Sequence, residues 1–247
     1  MNNNAIGVFD SGVGGLSCVP ALMKRLPNEK IIYYGDCERA PYGVRPKEEI
    51  IEFSLEIARF LVRKDCKSLS IACNTISGIA IDAIKNEFPG IPVIGIIEPA
   101  AGMIKKCGSQ KVGLIATKAT VESGAYFKAL GYEIPARAAS EFVPFIEAGN
   151  YDGEFEEVIR EVVGGLKANS EIDHLVLGCT HFPFAAGLIN KLYPDLTLLN
   201  PAEALAEETA RQLEEKNLLA GKRLFKAKNE FLCSGESEVF KRMTEKI

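Results

Sequence analysis

The chain has 247 residues, of which 47% are hydrophobic and 25% charged, a balance typical of a globular protein with two modest cores. Its net charge is −4 and its basic residues form no cluster, which argues against nucleic-acid binding and favours a small-molecule ligand. No signal peptide and no apolar run long enough to cross a bilayer is visible, so we expect a cytoplasmic protein without membrane contact.

Short apolar segments alternate with amphipathic segments along the whole chain. The predicted strands are residues 5–9, 30–34, 68–72, 92–97, 111–116, 174–178 and 196–199. The predicted helices between and after them include residues 47–64, 154–167, 203–216 and 236–247, and the first of these has Ile51, Leu55, Ala58 and Val62 on one face. This alternation predicts an α/β fold with parallel sheets covered by helices.

Two stretches interrupt the alternation of strands and helices. They are Glu98-Pro-Ala-Ala-Gly102 and Asn200-Pro201. We therefore predict two similar lobes, each a parallel sheet flanked by helices. The first lobe comprises residues 1–97 plus 201–247, the second comprises residues 98–200, and the active site lies in the cleft between them.

Polar residues that can begin a helix follow most of the predicted strands. Examples are Asp10-Ser11 and Asn74-Thr75. Ligands of open α/β sheets bind at the carboxyl ends of the strands, where helix N-termini favour anions, so we expect a small anionic ligand. The glycines at 12, 14 and 15 do not match a dinucleotide-binding loop, and we interpret them as allowing backbone N–H groups to approach a carboxylate.

Cys73 and Cys179 occupy matching positions 106 residues apart, each at the end of an apolar run. Two thiols that face one carbon atom could remove a proton from one side and return one to the other. The alternative is that both cysteines are small core residues. We expect helix N-termini and a cationic His181 to increase the thiolate fraction of both cysteines. As a carboxylate near Cys73, Asp10 would do the opposite, but it could also cap a helix, orient an ammonium group or relay a proton.

No cofactor or metal is indicated by the sequence. The seven cysteines are scattered without a C-x-x-C pair, which argues against a zinc site and against a disulfide framework. No motif indicates a Schiff-base lysine with a phosphate pocket, so a pyridoxal phosphate site is not expected either.

Seven motifs, in chain order, resemble those of the glutamate racemases of the cofactor-independent aspartate/glutamate racemase superfamily. They are Asp10-Ser-Gly-Val-Gly-Gly-Leu, Gly35-Asp36, Pro41-Tyr42-Gly43, Ala72-Cys73-Asn74-Thr75, Gly95-Ile-Ile-Glu98-Pro99, Ala116-Thr117-Lys-Ala-Thr120 and Leu177-Gly178-Cys179-Thr180-His181. The resemblance implies a two-lobed α/β fold that interconverts L- and D-glutamate, without a cofactor, for peptidoglycan synthesis. We also expect a homodimer.

The resemblance also implies roles for individual residues. Cys73 and Cys179 would be the paired acid and base, assisted by Asp10 and His181. The implied substrate contacts are Asp10, Ser11, Tyr42, Gly43, Asn74, Thr75, Thr117, Thr120, Thr180 and His181. Three departures leave both thiols untouched: Cys37 in place of a usual threonine, Asn200 in place of a frequent aspartate, and Ala139-Ser-Glu141 in place of a more usual Ala-Cys-Pro.

Three other functions remain open at this stage. An aspartate racemase, or another racemase of the superfamily, would also use both thiols. A decarboxylase of the superfamily would keep a single catalytic thiol, whereas this chain has both. A non-catalytic two-lobed binding protein would have the cleft without needing a thiol on each side.

Overall fold

All seven predicted strands are present in the computed structural model, which describes residues 2–222, 228–245 and 247. These residues form nine strands: β1 Ile6–Asp10, β2 Ile31–Gly35, β3 Ser68–Ile71, β4 Val93–Gly95, β5 Val112–Ala116, β6 Ala136–Ala138, β7 His174–Gly178, β8 Thr197–Leu199 and β9 Glu230–Cys233.

Thirteen α-helices connect and follow the strands in the described residues. They are α1 Val19–Arg25, α2 Lys47–Arg63, α3 Asn74–Ile79, α4 Ile81–Glu87, α5 Ile97–Lys106, α6 Lys118–Glu122, α7 Ala125–Leu130, α8 Phe142–Ala148, α9 Gly153–Ile159, α10 Gly165–Asn169, α11 Ala186–Leu192, α12 Ala202–Glu215 and α13 Glu238–Thr244. A π-helical turn, Arg160–Gly164, joins α9 to α10, so the helix predicted over residues 154–167 is continuous. In the described part of the chain, no helix has the length and apolar character needed to cross a membrane.

The strands form two separate parallel sheets. The first sheet has the order β4-β3-β1-β2-β9 and the second has the order β6-β5-β7-β8. Every neighbouring pair is parallel, including the pairing of β1 with β3 and that of β5 with β7. The predicted fold class, two parallel α/β sheets flanked by helices, is therefore confirmed.

The largest hydrophobic core lies between the two sheets and is shared by them. It contains Ile6 of β1 and Leu114 of β5, together with Ile104 of α5, Leu130 of α7 and Leu205 of α12. Separate clusters cover the other face of each sheet, against α2 on the first sheet and against α8 and α9 on the second. Burial on both faces explains why the central strands are almost continuously apolar in sequence.

Several details of the sequence interpretation were wrong. Residues 98–102 do not interrupt the structure but belong to α5, where Pro99 lies in the first turn and so leaves no hydrogen bond broken. On the predicted face of α2, Ala58 is fully buried, whereas Ile51, Leu55 and Val62 are only partly buried against the same core. The fully buried apolar residues of α2 are instead Ile50, Ile57, Ala58 and Leu61, because neighbouring faces of this helix are both rich in apolar residues.

Two strands, β6 and β9, were not predicted. Both are edge strands, three and four residues long, and neither has a fully buried residue, so their sequences lack a strong apolar signal. The last predicted helix is shorter than expected: α13 begins after Ser237, whose hydroxyl accepts from the Phe240 N–H at 3.1 Å, and it ends at Thr244. Residue 246, within that predicted helix, lies outside the described residues.

A buried ion pair ties the amino-terminal side of the first sheet together. Lys67 Nζ donates to Glu29 Oε2 at 2.5 Å and to the carbonyl oxygen of Asn2 at 2.6 Å. Glu29 Oε1 in turn accepts from the Ala220 N–H at 2.7 Å. The pair therefore joins segments that are far apart in the chain, on the side of the sheet opposite the carboxyl ends of its strands.

Replacement of Lys67 by methionine is expected to lower the free energy of unfolding by about 3–5 kcal/mol, because it leaves the Glu29 carboxylate buried without its cation. Urea denaturation measures this change. The matched control is Lys111→Met, which removes an exposed lysine from its pair with Glu171 and is expected to leave stability unchanged. Equal effects of the two substitutions would contradict the structural role of the buried pair.

Candidate active site

A cavity of about 490 Å³ lies where the carboxyl ends of both sheets meet. Loops after β1, β2 and β3 of the first sheet line it, as do loops after β5 and β7 of the second. Most of the predicted site residues line this cavity: Ser11, Tyr42, Gly43, Cys73, Asn74, Thr75, Thr117, Cys179, Thr180 and His181. Asp10 and Thr120 are not in the lining and lie buried behind it.

Cys73 follows β3 and caps the short helix α3. Its Sγ accepts from the Ile76 N–H at 3.5 Å and lies 3.5 Å from Ser11 Oγ. Burial, reinforced by the nearby Asp10 carboxyl, raises the pKa of the Cys73 thiol to about 12. The Ile76 N–H in the first turn of α3 lowers this pKa, as the sequence predicted for a helix N-terminus, but burial outweighs its effect.

Cys179 follows β7 and lies next to a histidine that is itself held by a carboxylate. The Cys179 Sγ is 3.8 Å from His181 Nδ1, and His181 Nε2 is 2.8 Å from Glu147 Oε1. Burial by itself lowers the pKa of His181, but the hydrogen bonds with Cys179 and Glu147 outweigh burial and raise this pKa to about 10. At neutral pH His181 is therefore a cation that lies against the Cys179 sulfur.

The two thiols thus lie in opposite electrostatic surroundings within one cavity. Cys73 has an acidic neighbour, Asp10, and keeps its proton. Cys179 has a cationic neighbour, His181. Such a pair can act as one acid and one base on a ligand between them, which is the arrangement that inversion of a carbon centre requires.

Asp10 is fully buried at the end of β1 and forms hydrogen bonds with residues on both sides of the cavity. Its Oδ2 accepts from the Gly12 N–H at 3.0 Å, and its Oδ1 accepts from the Thr180 hydroxyl at 3.2 Å. Burial raises the pKa of Asp10 above its usual range, although His181 and the backbone N–H groups of Gly12 and Gly15 oppose this rise. Asp10 therefore connects the loop after β1 to the loop after β7.

The glycine-rich loop after β1 serves a purpose that its sequence did not indicate. A Cβ atom on Gly14 would lie 2.4 Å from Thr180 Oγ1 and 2.5 Å from His181 Nδ1. A Cβ atom on Gly15 would lie 2.5 Å from the Cβ of Asp10. These two glycines allow side chains of the site to approach the backbone, whereas only Gly12 of the three lines the cavity.

Three threonine hydroxyls form a closed triangle at the cavity wall. The oxygen atoms of Thr75 and Thr117 are 3.0 Å apart, those of Thr117 and Thr120 are 2.9 Å apart, and those of Thr75 and Thr120 are 3.2 Å apart. Thr75 lies on α3 of the first sheet, while Thr117 and Thr120 follow β5 of the second. The triangle therefore joins the two sides of the cavity.

Tyr42 is held in place by a residue of the loop after β2. Its hydroxyl donates to Asp36 Oδ2, and Asp36, which is fully buried, also accepts from Arg39 at 2.6 Å and from Ser234 at 2.7 Å. Burial, followed by the hydrogen bond to Asp36, raises the pKa of Tyr42 well above its usual value. Tyr42 is 1% exposed, so it is a fixed part of the wall.

Sequence reasoning missed two residues that organise the site. Glu147 on α8 holds His181 from 34 positions away in the chain, and no motif precedes it. Asp36 received no role from the sequence, although the family motif Gly35-Asp36 was an available signal. Of the three departures from the family pattern, Cys37 lines the cavity, as do Ser140 and Glu141 of the third. Asn200 is outside the lining, and its Oδ1 accepts from the Ala202 N–H at the start of α12.

The fold and the cavity define a two-lobed α/β protein with its ligand site at the meeting point of two parallel sheets. A family model described as Asp/Glu/Hydantoin racemase matches residues 15–209. The chain belongs to this family. The resemblance deduced from the sequence motifs is thereby confirmed.

Relatives in the family match nearly the whole chain. The glutamate racemase of Thermus thermophilus is 40% identical over 243 residues, which cover 98% of this chain and 91% of that protein. The glutamate racemase of Neisseria meningitidis is 42% identical over 221 residues, covering 87% and 82%. The crystal structure of glutamate racemase from Francisella tularensis in complex with D-glutamate gives a TM-score of 0.91 at 35% identity, covering 100% and 94%.

The different surroundings of the two thiols predict different reactivity. Alkylation of Cys73 by iodoacetamide is expected to become about tenfold faster for each pH unit between about pH 7 and pH 10, because its pKa of about 12 leaves it protonated in this range and only the thiolate reacts. Cys179 is expected to react faster than Cys73 at neutral pH. Peptide mass spectrometry measures both rates.

The control for this measurement is Cys18, which is 1% exposed and outside the cavity, and which should remain unmodified while the protein is folded. A Cys73 rate that levels off near neutral pH would contradict the assignment of Cys73 as the protonated thiol.

Proposed function

We propose that this chain interconverts L- and D-glutamate and that Cys73 and Cys179 are the two acid/base groups. The single observation that carries the proposal is that two thiols, one from the strand ends of each parallel sheet, line the same cavity in opposite electrostatic surroundings. A binding protein would need the cavity but would have no use for this pair.

The proposed reaction needs one thiolate and one thiol at the start. The thiolate removes the α-proton of the amino acid, and the thiol on the opposite side delivers its own proton to the resulting carbanion, so the α-carbon is inverted. After one turnover the roles are exchanged, and the reverse reaction uses the same two groups. His181, held by Glu147, supports the negative charge of Cys179, and Asp10 is the acidic neighbour of Cys73.

The polar groups of the cavity support an amino acid with two carboxylates as the substrate. The described lining residues include no lysine and no arginine, so a carboxylate would be held by amide and hydroxyl groups. Asn74 and the hydroxyl groups of Thr75 and Thr117, which line the cavity, supply such groups. The implied substrate contacts named above, from Ser11 to His181, therefore keep their proposed roles.

The preference for glutamate over aspartate is supported by the relatives. The relatives from Thermus and Neisseria are glutamate racemases, and the Francisella structure contains D-glutamate. One methylene group separates the two substrates, a difference that a pocket distinguishes by only about 10–200-fold. Both substrates therefore have to be compared directly.

Replacement of either thiol by a hydroxyl is expected to abolish the reaction without unfolding the protein. Cys73→Ser and Cys179→Ser should each lower the rate of racemisation by at least about 10²-fold, because a hydroxyl is a far weaker acid and base. The assay incubates L- or D-glutamate in D₂O with chelator and without pyridoxal phosphate, and follows loss of the α-proton signal by NMR together with polarimetry. The control Cys107→Ser should behave like the wild type.

Three outcomes of this assay would contradict parts of the proposal. Near-normal turnover in either cysteine variant would exclude the two-base mechanism. Faster exchange with aspartate than with glutamate would make the chain an aspartate racemase. Absence of exchange with every amino acid tested would favour a non-catalytic binding protein. In the expected result, deuterium appears first in the inverted enantiomer, because separate thiols serve the two faces.

The division into lobes at residues 97/98 and 200/201 is also proposed. All four strands of the second sheet fall within residues 112–199, and the first sheet takes its strands from residues 6–95 and 230–233, which supports the division. The first boundary falls in the opening turn of α5. Small-angle scattering with and without glutamate would detect closure about these boundaries, and unchanged scattering would argue against movement of the lobes.

A homodimer is supported by an exposed apolar surface. Tyr151 and Phe184 are 41% and 38% exposed, and both line a second cavity of about 290 Å³ beside α13. Apolar side chains grouped on a surface commonly mark an interface. Phe184→Glu is expected to convert the dimer to a monomer in analytical ultracentrifugation, because it places a charge in the interface.

The control for the dimer is Tyr132→Glu, which changes a more exposed aromatic residue outside this surface and should leave the mass unchanged. A wild-type protein that sediments as a monomer at all concentrations would contradict the dimer.

We further propose that the protein works in the cytoplasm, where its catalytic thiols stay reduced, and that it supplies D-glutamate for peptidoglycan synthesis.

A further inference from the structure

The side-chain amide of Asn74 is buried but only half satisfied. Asn74 lines the cavity and is 3% exposed. Its Oδ1 accepts from the hydroxyl of Tyr126 at 2.8 Å, whereas its Nδ2 has no hydrogen-bond partner among the described residues. A buried N–H group without an acceptor is rare because it costs free energy. Its position in the wall of the cavity indicates that a ligand supplies the acceptor.

The hydroxyl of Tyr126 decides which end of the amide points to the ligand. Tyr126 is 1% exposed, and burial raises its pKa far above the usual value, so the hydroxyl keeps its proton at every working pH. In the described part of the chain this hydroxyl has no other hydrogen-bond partner. If the Asn74 amide were turned over, the hydroxyl proton would have no acceptor, and Oδ1 would face an anionic ligand. Both consequences are unfavourable.

We propose that Tyr126 is a positioning residue for substrate binding: its hydroxyl holds the Asn74 amide so that Nδ2 donates a hydrogen bond to a carboxylate oxygen of the substrate. This inference rests on the proposed racemase function. Tyr126 does not line the cavity, and it affects the affinity for the substrate only through Asn74.

The hydrogen bond also joins the two sides of the cavity. Tyr126 lies on α7, after β5 of the second sheet, and Asn74 begins α3, after β3 of the first. The next residue, Thr75, is bonded in the same way to Thr117 and Thr120 of the second side. The amide is thus aligned only when the two sides are held together as they are in this structure.

Tyr126→Phe tests the inference, since it removes the hydroxyl oxygen and keeps the ring. The KM for D- and L-glutamate is expected to rise about five- to tenfold, the effect of one lost hydrogen bond, while kcat stays within about twofold. The bond is made equally in the ground state and in the transition state, so it affects binding rather than the chemical step. The control Tyr193→Phe removes a hydroxyl that bonds to the Arg160 carbonyl outside the cavity, and it should change neither constant.

A double-mutant cycle separates positioning from a general loss of structure. In an Asn74→Ala background, Tyr126→Phe should have no further effect on KM, because the group that it positions is absent. An unchanged KM in the single variant would overturn the inference. So would a rise in KM of the same size in the Asn74→Ala background, since that would show an effect independent of the amide.

A measurement on protein that retains Tyr126 tests the inference even if the Tyr126→Phe variant does not fold. In the Cys73→Ser protein, which is expected to bind glutamate without turnover, the side-chain NH₂ signal of Asn74 should shift in NMR spectra when glutamate is added. No shift would overturn the inference. An active wild type with an unchanged KM in Tyr126→Phe contradicts only the positioning role, whereas a wild type without activity on glutamate contradicts the proposed function and this inference with it.

Discussion

The apolar core shared by the two sheets is the constraint on which the cavity depends. Residues of β1 and β5 contribute to the same cluster, and α1, α5, α7 and α12 fill the space between the sheets. Because this core holds the carboxyl ends of both sheets at one place, thiols that are 106 positions apart in the chain line a single cavity. Neither sheet alone would bring a second thiol to the ligand.

Close approach of the loop after β1 to the loop after β7 brings the two sides of the cavity together. Gly14 of the first side leaves room for Thr180 and His181 of the second, and any side chain there would push the loops apart. Hydrogen bonds between the two sides of the cavity then fix the positions of the loops. They are the bond between Asp10 and Thr180 and those of the threonine triangle. Directional bonds of this kind add little net stability each, but they determine where each polar atom lies.

Chemically identical side chains become different because of their neighbours. Burial beside Asp10 keeps Cys73 protonated, while the imidazolium of His181 lies against Cys179. The cation is tolerated inside the protein because Glu147 pairs with it, and Glu147 itself remains 36% exposed and therefore partly hydrated. Two cysteines in matching sequence positions thus acquire different electrostatic surroundings in the folded chain.

The amino-acid sequence by itself determined the class of fold and the identity of the two thiols. Apolar runs such as residues 68–72 and 174–178 reported strands, and the polar residue after each run marked the end of the sheet where ligands bind. Such signals are local, because strand periodicity and helix caps depend on neighbours in the chain. Only the tertiary structure assigned Glu147 to His181 and Tyr126 to Asn74, since these pairs meet through packing over 34 and 52 positions. It also decided the protonation of Cys73, because burial and the approach of Asp10 exist only in the folded chain.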